Sequence, residues 1–134
     1  MKLNQNCIRD ILLELEEELD FDLHISKYDL DKLESYKKYG EDEFLYTISK
    51  LSEAGYINES HQGGADTMYY QLMIHSITWE GHKFLDTIRD NQVWAETKKV
   101  ASKFSSVSVN MISTIASTVI TNLIENQMHQ SGLI

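Results

Sequence analysis

The chain contains no proline and a single cysteine, Cys7. Without proline, helix ends must be set by Gly, Asn, Asp, Ser and Thr. A lone cysteine excludes an intramolecular disulfide and fits a reducing compartment. Cations are scarce, with 12 Lys and Arg against 21 Asp and Glu, a net charge of −9. The imbalance sits in the first part of the chain. Residues 1–60 hold 7 basic and 15 acidic side chains, and residues 61–134 hold 5 and 6. An acidic half repels phosphate, which counts against nucleic-acid binding as a whole-molecule property and leaves only a local basic patch.

Met1 to Asn6 has no apolar run and no small-residue cleavage site, so no secretory signal is expected. From Phe104 to Ile124 no residue is charged, about the length of a bilayer span. Ten of those 21 positions are Ser, Thr or Asn, too many for a membrane helix. The expectation is a cytoplasmic protein with no membrane partner.

With 134 residues the chain suits one domain with an appended element. Asn4 can cap a first helix from Gln5 to Leu19, with Cys7, Ile11, Leu15 and Leu19 on one apolar face. Glu14, Glu16, Glu17 and Glu18 lie off that face, where the helix dipole disfavours them. They are either a solvated face or a contact for a basic partner. Leu23 to Ile25 reads as extended. Ser26 opens a second helix with Tyr28, Leu30 and Leu33 inward, and Tyr36 to Gly40 makes the turn. A third helix spans Glu41 to Ala54, burying Phe44, Leu45, Ile48 and Leu51, with Gly55 just past its end. Tyr56 to Ser60 and Thr67 to Ile74 read as a hairpin turning at Gly63-Gly64. Thr78 caps a fourth helix to Arg89, with Phe84, Leu85 and Ile88 inward. A fifth carries Val93, Trp94, Val100, Ala101 and Phe104. The last runs from Ser108 to Met128.

The fold class that follows is mainly α with a small β-hairpin: a winged helix-turn-helix core over residues 1–90 and C-terminal helices over 91–134. The third helix would be the recognition helix and the hairpin the wing. Leu51-Ser52-Glu53-Ala54-Gly55-Tyr56-Ile57 resembles the recognition-helix end of bacterial winged-helix regulators. Ile77-Thr78-Trp79-Glu80-Gly81 resembles the helix start that follows their wing. Met1 to Leu12 and the long block from Ile77 to Trp94 resemble the family catalogued as domain of unknown function 2513. That resemblance implies a small bacterial or prophage protein and brings no activity and no functional residues.

No constellation points to catalysis, and no cofactor is expected. Cys7 lies on an apolar helix face, where a small buried hydrophobe is the expectation. His24, His61, His75, His82 and His129 lack the close pairing of a helical zinc site, so no metal is expected. Gly63-Gly64 is a turn, not a phosphate cradle. The chain is expected not to be an enzyme.

Two functions from different classes remain. The first is a transcriptional regulator contacting DNA through Lys37, Lys38, Tyr46 and Lys50. Against it, residues 41–54 hold one lysine and four carboxylates, and the wing tip from Ser60 to Thr67 has no Lys or Arg. The second is an acidic module that binds or inhibits a host protein. In either case Ile112, Ile115, Val119, Ile120 and Leu123 form a wide apolar stripe on the last helix. A second copy would cover it in a homo-oligomer; the alternative is folding back within one chain.

Overall fold

The computed structural model describes residues 1–133. Asn4 caps the first helix as its sequence position predicts, its side-chain oxygen accepting from the backbone N–H groups of Asn6 and Cys7. That helix, α1, covers Gln5–Glu18 and buries Cys7, Ile8, Ile11, Leu12 and Leu15. Strand β1 follows at Ile25–Ser26, then a 3-10 helix at Lys27–Lys32. Helix α2 is Glu34–Tyr39 and α3 is Glu41–Glu53. Strands β2, Ile57–Gln62, and β3, Gln71–Ile77, lead into α4 at Trp79–Ile88. Helices α5, Asn91–Ala101, and α6, Val109–Gln130, complete the chain.

The protein is therefore mainly helical, with a small antiparallel sheet and C-terminal helices. The sheet has three strands, not the two of a hairpin. β1 pairs with β3 through Ile25↔Ile74 and Ser26↔Met73, giving the order β1-β3-β2. Ile25, Ile57, Leu72 and Ile74 bury their side chains, while Gln71 and Met73 alternate outward. A two-residue strand carries too little pattern to be read as one, and its partner lies about fifty positions on.

The chain divides into two compact units, Met1–Lys83 and a second beginning at Phe84. The division falls inside α4, ahead of the expected boundary at residue 90. In the first unit α1 packs on α2, α3 and β3, and α3 also meets β2. In the second, α5 packs on α6. A groove flanked by Asp90, Gln92 and Val93 at the start of α5 is also lined by Ile120, Leu123 and Met128 late in α6, so the two helices run antiparallel.

Two local expectations fail for physical reasons, and one buried polar residue escapes the apolar pattern. Tyr28 is not inward but 88% exposed. Residues 27–32 wind as a 3-10 helix, whose three-residue period aligns Leu30 with Leu33 and turns Tyr28 away. The segment from Tyr36 is helix, not turn, because α2 is capped from outside. Its N-cap, Leu33, offers no acceptor, and the Glu14 carboxylate on α1 accepts from the N–H of Glu34 at 2.6 Å and of Ser35 at 2.9 Å instead. Thr47, a polar residue among the apolar positions of α3, is fully buried. Its hydroxyl donates to Glu43 O at 2.8 Å and reaches Cys7 Sγ at 3.4 Å, so α3 can press on α1 without an orphaned polar group.

The end of α3 is set by Gly55, at φ +77. Tyr56 N donates to Leu51 O and Gly55 N to Ser52 O, the paired bonds of a left-handed helix terminus. Thr78 then ties α4 to this point. Its N–H donates to Tyr56 O, its hydroxyl donates to Gly55 O, and the same hydroxyl oxygen accepts from Gly81 N.

Candidate functional site

The four residues of the expected DNA-contacting face lie on α2 and α3. Lys37 and Lys38 end α2, and Tyr46 and Lys50 stand one turn apart on α3. Every lysine of the four faces a carboxylate of its own chain. Lys37 pairs with Glu34 at 3.3 Å, Lys38 with Asp10 at 2.9 Å and Lys50 with Glu53 at 2.8 Å. The hydrogen bonds to Asp10 and Glu53 raise the pKa values of Lys38 and Lys50. Lys38 is thus turned toward α1 and sits over the Tyr39 ring, 5.2 Å from its centre. Lys50 sits over the Tyr46 ring at 5.4 Å. Burial, reinforced by the hydrogen bond to Asp10, pushes the Tyr39 hydroxyl up to about 12.

Such exposed pairs are weak, and phosphate can compete for the lysines. The field around them is harder to overcome. Glu41, Asp42 and Glu43 fill the first turn of α3, and Asn4 donates to Glu43 at 2.9 Å. Glu14 and Glu16, read as a local misfit on α1, have partners here. Glu14 caps α2, and Glu16 Oε2 lies 3.8 Å from His82 Nδ1. Glu17 and Glu18 remain exposed.

The fold also assembles histidines that are scattered in the sequence. His24, His75 and His82 line one cleft of about 400 Å³ with Glu16, Asp20 and Asp22. His75 Nδ1 lies 2.9 Å from His24 Nδ1, and its Nε2 lies 2.8 Å from Ser60 Oγ. One imidazole must donate to the other. The Ser60–His75–His24 chain has the connectivity of a nucleophile, a base and an orienting group. Its third member is an imidazole where a carboxylate would stabilise the charged base, and Ser60 does not line the cleft. Ser60 and His24 are both exposed, so the chain of contacts lies in solvent and encloses no reacting centre. Among the described residues, no three His, Cys, Asp or Glu side chains are grouped to hold a metal ion. The signal that could have found this cluster is β1 pairing with β3, which brings His24 beside His75. Cys7 is buried, and desolvation pushes its thiol pKa up, the opposite of an activated nucleophile.

On α6, Ile112 and Ala116 are buried, and Ile115, Val119, Ile120 and Leu123 are half-buried. The stripe is thus partly covered within the chain by α5. Phe104, expected on the fifth helix, lies past its end at Ala101, in the connection to α6, and is 63% exposed. Among the described residues no helix is long and apolar enough to cross a membrane.

Comparison with known proteins places the sequence in a family. The chain is 28% identical over 125 residues to an "Uncharacterized protein" of Haemophilus influenzae (strain ATCC 51907 / DSM 11121 / KW20 / Rd). The match covers 92% of this chain and 99% of that one. No solved structure matches. The family model described as "Hypothetical protein (DUF2513)" matches residues 2–108, which include α1 to α5 and all three strands. The chain belongs to the DUF2513 family.

Proposed function

We propose that the protein is a non-enzymatic winged helix-turn-helix module that docks a basic protein partner. The winged core is supported by the element order helix, strand, helix, helix, strand, strand and by the strand order β1-β3-β2. Fold alone does not choose a ligand. The observation that carries the choice is where the charge sits. Residues 1–83 hold 8 basic and 17 acidic side chains, and residues 84–134 hold 4 and 4, so the first unit carries the entire −9. That unit contains the helix and wing that would have to approach phosphate. The same field steers a cationic surface toward α1 and the first turn of α3.

The second reading, a regulator that holds DNA through Lys37, Lys38, Tyr46 and Lys50, draws on the same topology. A paired titration separates the two. Labelled poly-L-lysine and a labelled mixed-sequence duplex are each titrated with the protein at about 50 mM salt and upward. The expected result is salt-sensitive binding of poly-L-lysine and none of the duplex. Glu41→Gln with Asp42→Asn weakens poly-L-lysine binding more than Glu96→Gln with Glu125→Gln in the second unit. Duplex binding that falls steeply with salt overturns the proposal in favour of the regulator.

A further inference from the structure

A recess of about 420 Å³ opens where the 3-10 helix, α2, α3 and the approach to β3 meet. Three tyrosines line it: Tyr28, Tyr36 and Tyr70. Tyr28 is 88% exposed and Tyr70 64% exposed, an unusual display of aromatic surface for two residues around one hollow. Leu30 and Leu45 also line it. The carboxylates of Asp31 and Glu41 stand in its wall, the Asp31 charge also acting on Lys32. The recess holds one cation of its own, Lys27. Its ammonium donates to Tyr69 O at 2.7 Å and keeps its charge, so the two carboxylates of the wall exceed it by one. Burial raises the pKa of Tyr36, and the nearby carboxylates of Glu41, Asp31 and Asp42 raise it further.

Aromatic faces carry negative potential and attract cations, and adjacent carboxylates add to that attraction. An apolar surface accommodates the methylene stem of a lysine or arginine while its head meets rings and carboxylates. A phosphate or a carboxylate would meet Asp31 and Glu41 unfavourably. A neutral apolar group would leave both carboxylates partly desolvated without a partner.

We propose that the recess bounded by Tyr28, Tyr36, Tyr70, Asp31 and Glu41 captures a single cationic side chain, lysine or arginine, from a basic polypeptide. The assignment rests on the reading above that the partner is basic, and it names the point at which one side chain of that partner is held. The sequence alone does not suggest it. The tyrosines are separated by up to forty-two positions and come together only because the 3-10 helix turns Tyr28 outward.

The test is an amide chemical-shift titration of the full chain. Three probes are used: Nα-acetyl-lysine methylamide, Nα-acetyl-arginine methylamide, and the lysine compound with its ε-amine acetylated. The expected result is saturable shifts at Lys27–Asp31, Tyr36, Glu41 and Tyr70 with one or both cationic probes, and at least tenfold weaker binding of the neutral one. Tyr28→Ala and Tyr70→Ala, both at exposed positions, each weaken the cationic probe about threefold. Spectra of each variant that otherwise match the parent show that the fold is kept. Equal binding of the neutral probe, or shifts confined to other residues, overturns the recess. Poly-L-lysine that binds without perturbing these residues also overturns it and leaves the basic-partner reading standing. Failure of poly-L-lysine to bind at all removes both.

Discussion

Gly81→Ala is expected to destabilise the protein by about 2–4 kcal/mol, although alanine is the better helix former. Gly81 sits in the first turn of α4, where the substitution should gain about 1 kcal/mol from propensity alone. The backbone of the α3–β2 connection decides the sign. A Cβ at Gly81 would overlap the carbonyl oxygen of Tyr56 and stand 2.7 Å from Ile77 Cγ2 and 3.0 Å from Tyr56 C. The carbonyl cannot retreat cheaply. It accepts from Thr78 N at 3.0 Å, and the Thr78 hydroxyl holds the neighbouring Gly55 carbonyl. Relief requires breaking the clasp that joins the end of α3 to the start of α4. Gly63→Ala is the matched control, since its Cβ would find its nearest neighbour at an ordinary 3.4 Å. Urea denaturation measures both. A Gly81→Ala midpoint equal to the parent's would show that the clasp is loose.

The second large effect is expected from Phe44→Ala, about 3–5 kcal/mol. Phe44 has no exposed surface and packs its ring 5.3 Å from that of Tyr36, at 60°. It therefore fixes α3 against α2, and the cavity left by its loss is walled by helices whose ends are pinned. α2 is capped by Glu14 from α1, and α3 ends in the Gly55 turn. Phe104→Ala, the same chemical change at a ring that is 63% exposed, is expected to stay within about 0.5 kcal/mol. The pair separates burial from residue type under one assay. Similar losses at both positions would contradict the assignment of Phe104 to the surface.

These cases mark what is readable in the sequence. Asn4, Ser108, Asp90 and Thr78 each accept from a backbone N–H within three residues, so the starts of α1, α6, α5 and α4 follow from local chemistry. The apolar periodicity of α1 and α3 is likewise local, and Ile11, Leu15, Phe44 and Ile48 are buried as it requires. What escapes is set by partners far along the chain. The pairing of β1 with β3, the Glu14 cap on α2 and the meeting of His24 with His75 all join residues twenty or more positions apart. The burial of Thr47 needs α1 as its cover, and its hydroxyl conceals it from a polarity pattern.

The cationic face shows both kinds of information at once. Lys37–Glu34 and Lys50–Glu53 are i,i+3 pairs that helix geometry alone anticipates. Lys38–Asp10 is a tertiary pair that only the packing of α2 on α1 creates. Together they leave the expected DNA-contacting face with its positive charge locally balanced.

The most direct measurement of that account is a three-lysine variant, Lys37→Gln, Lys38→Gln and Lys50→Gln, titrated with poly-L-lysine and with duplex DNA at low salt. Removing the three cations frees Glu34, Asp10 and Glu53, so the account predicts that poly-L-lysine is held about threefold or more tightly than by the parent, with the duplex unbound by either protein. A parent that binds the duplex, and a variant that loses this binding while its hold on poly-L-lysine stays the same, would contradict it.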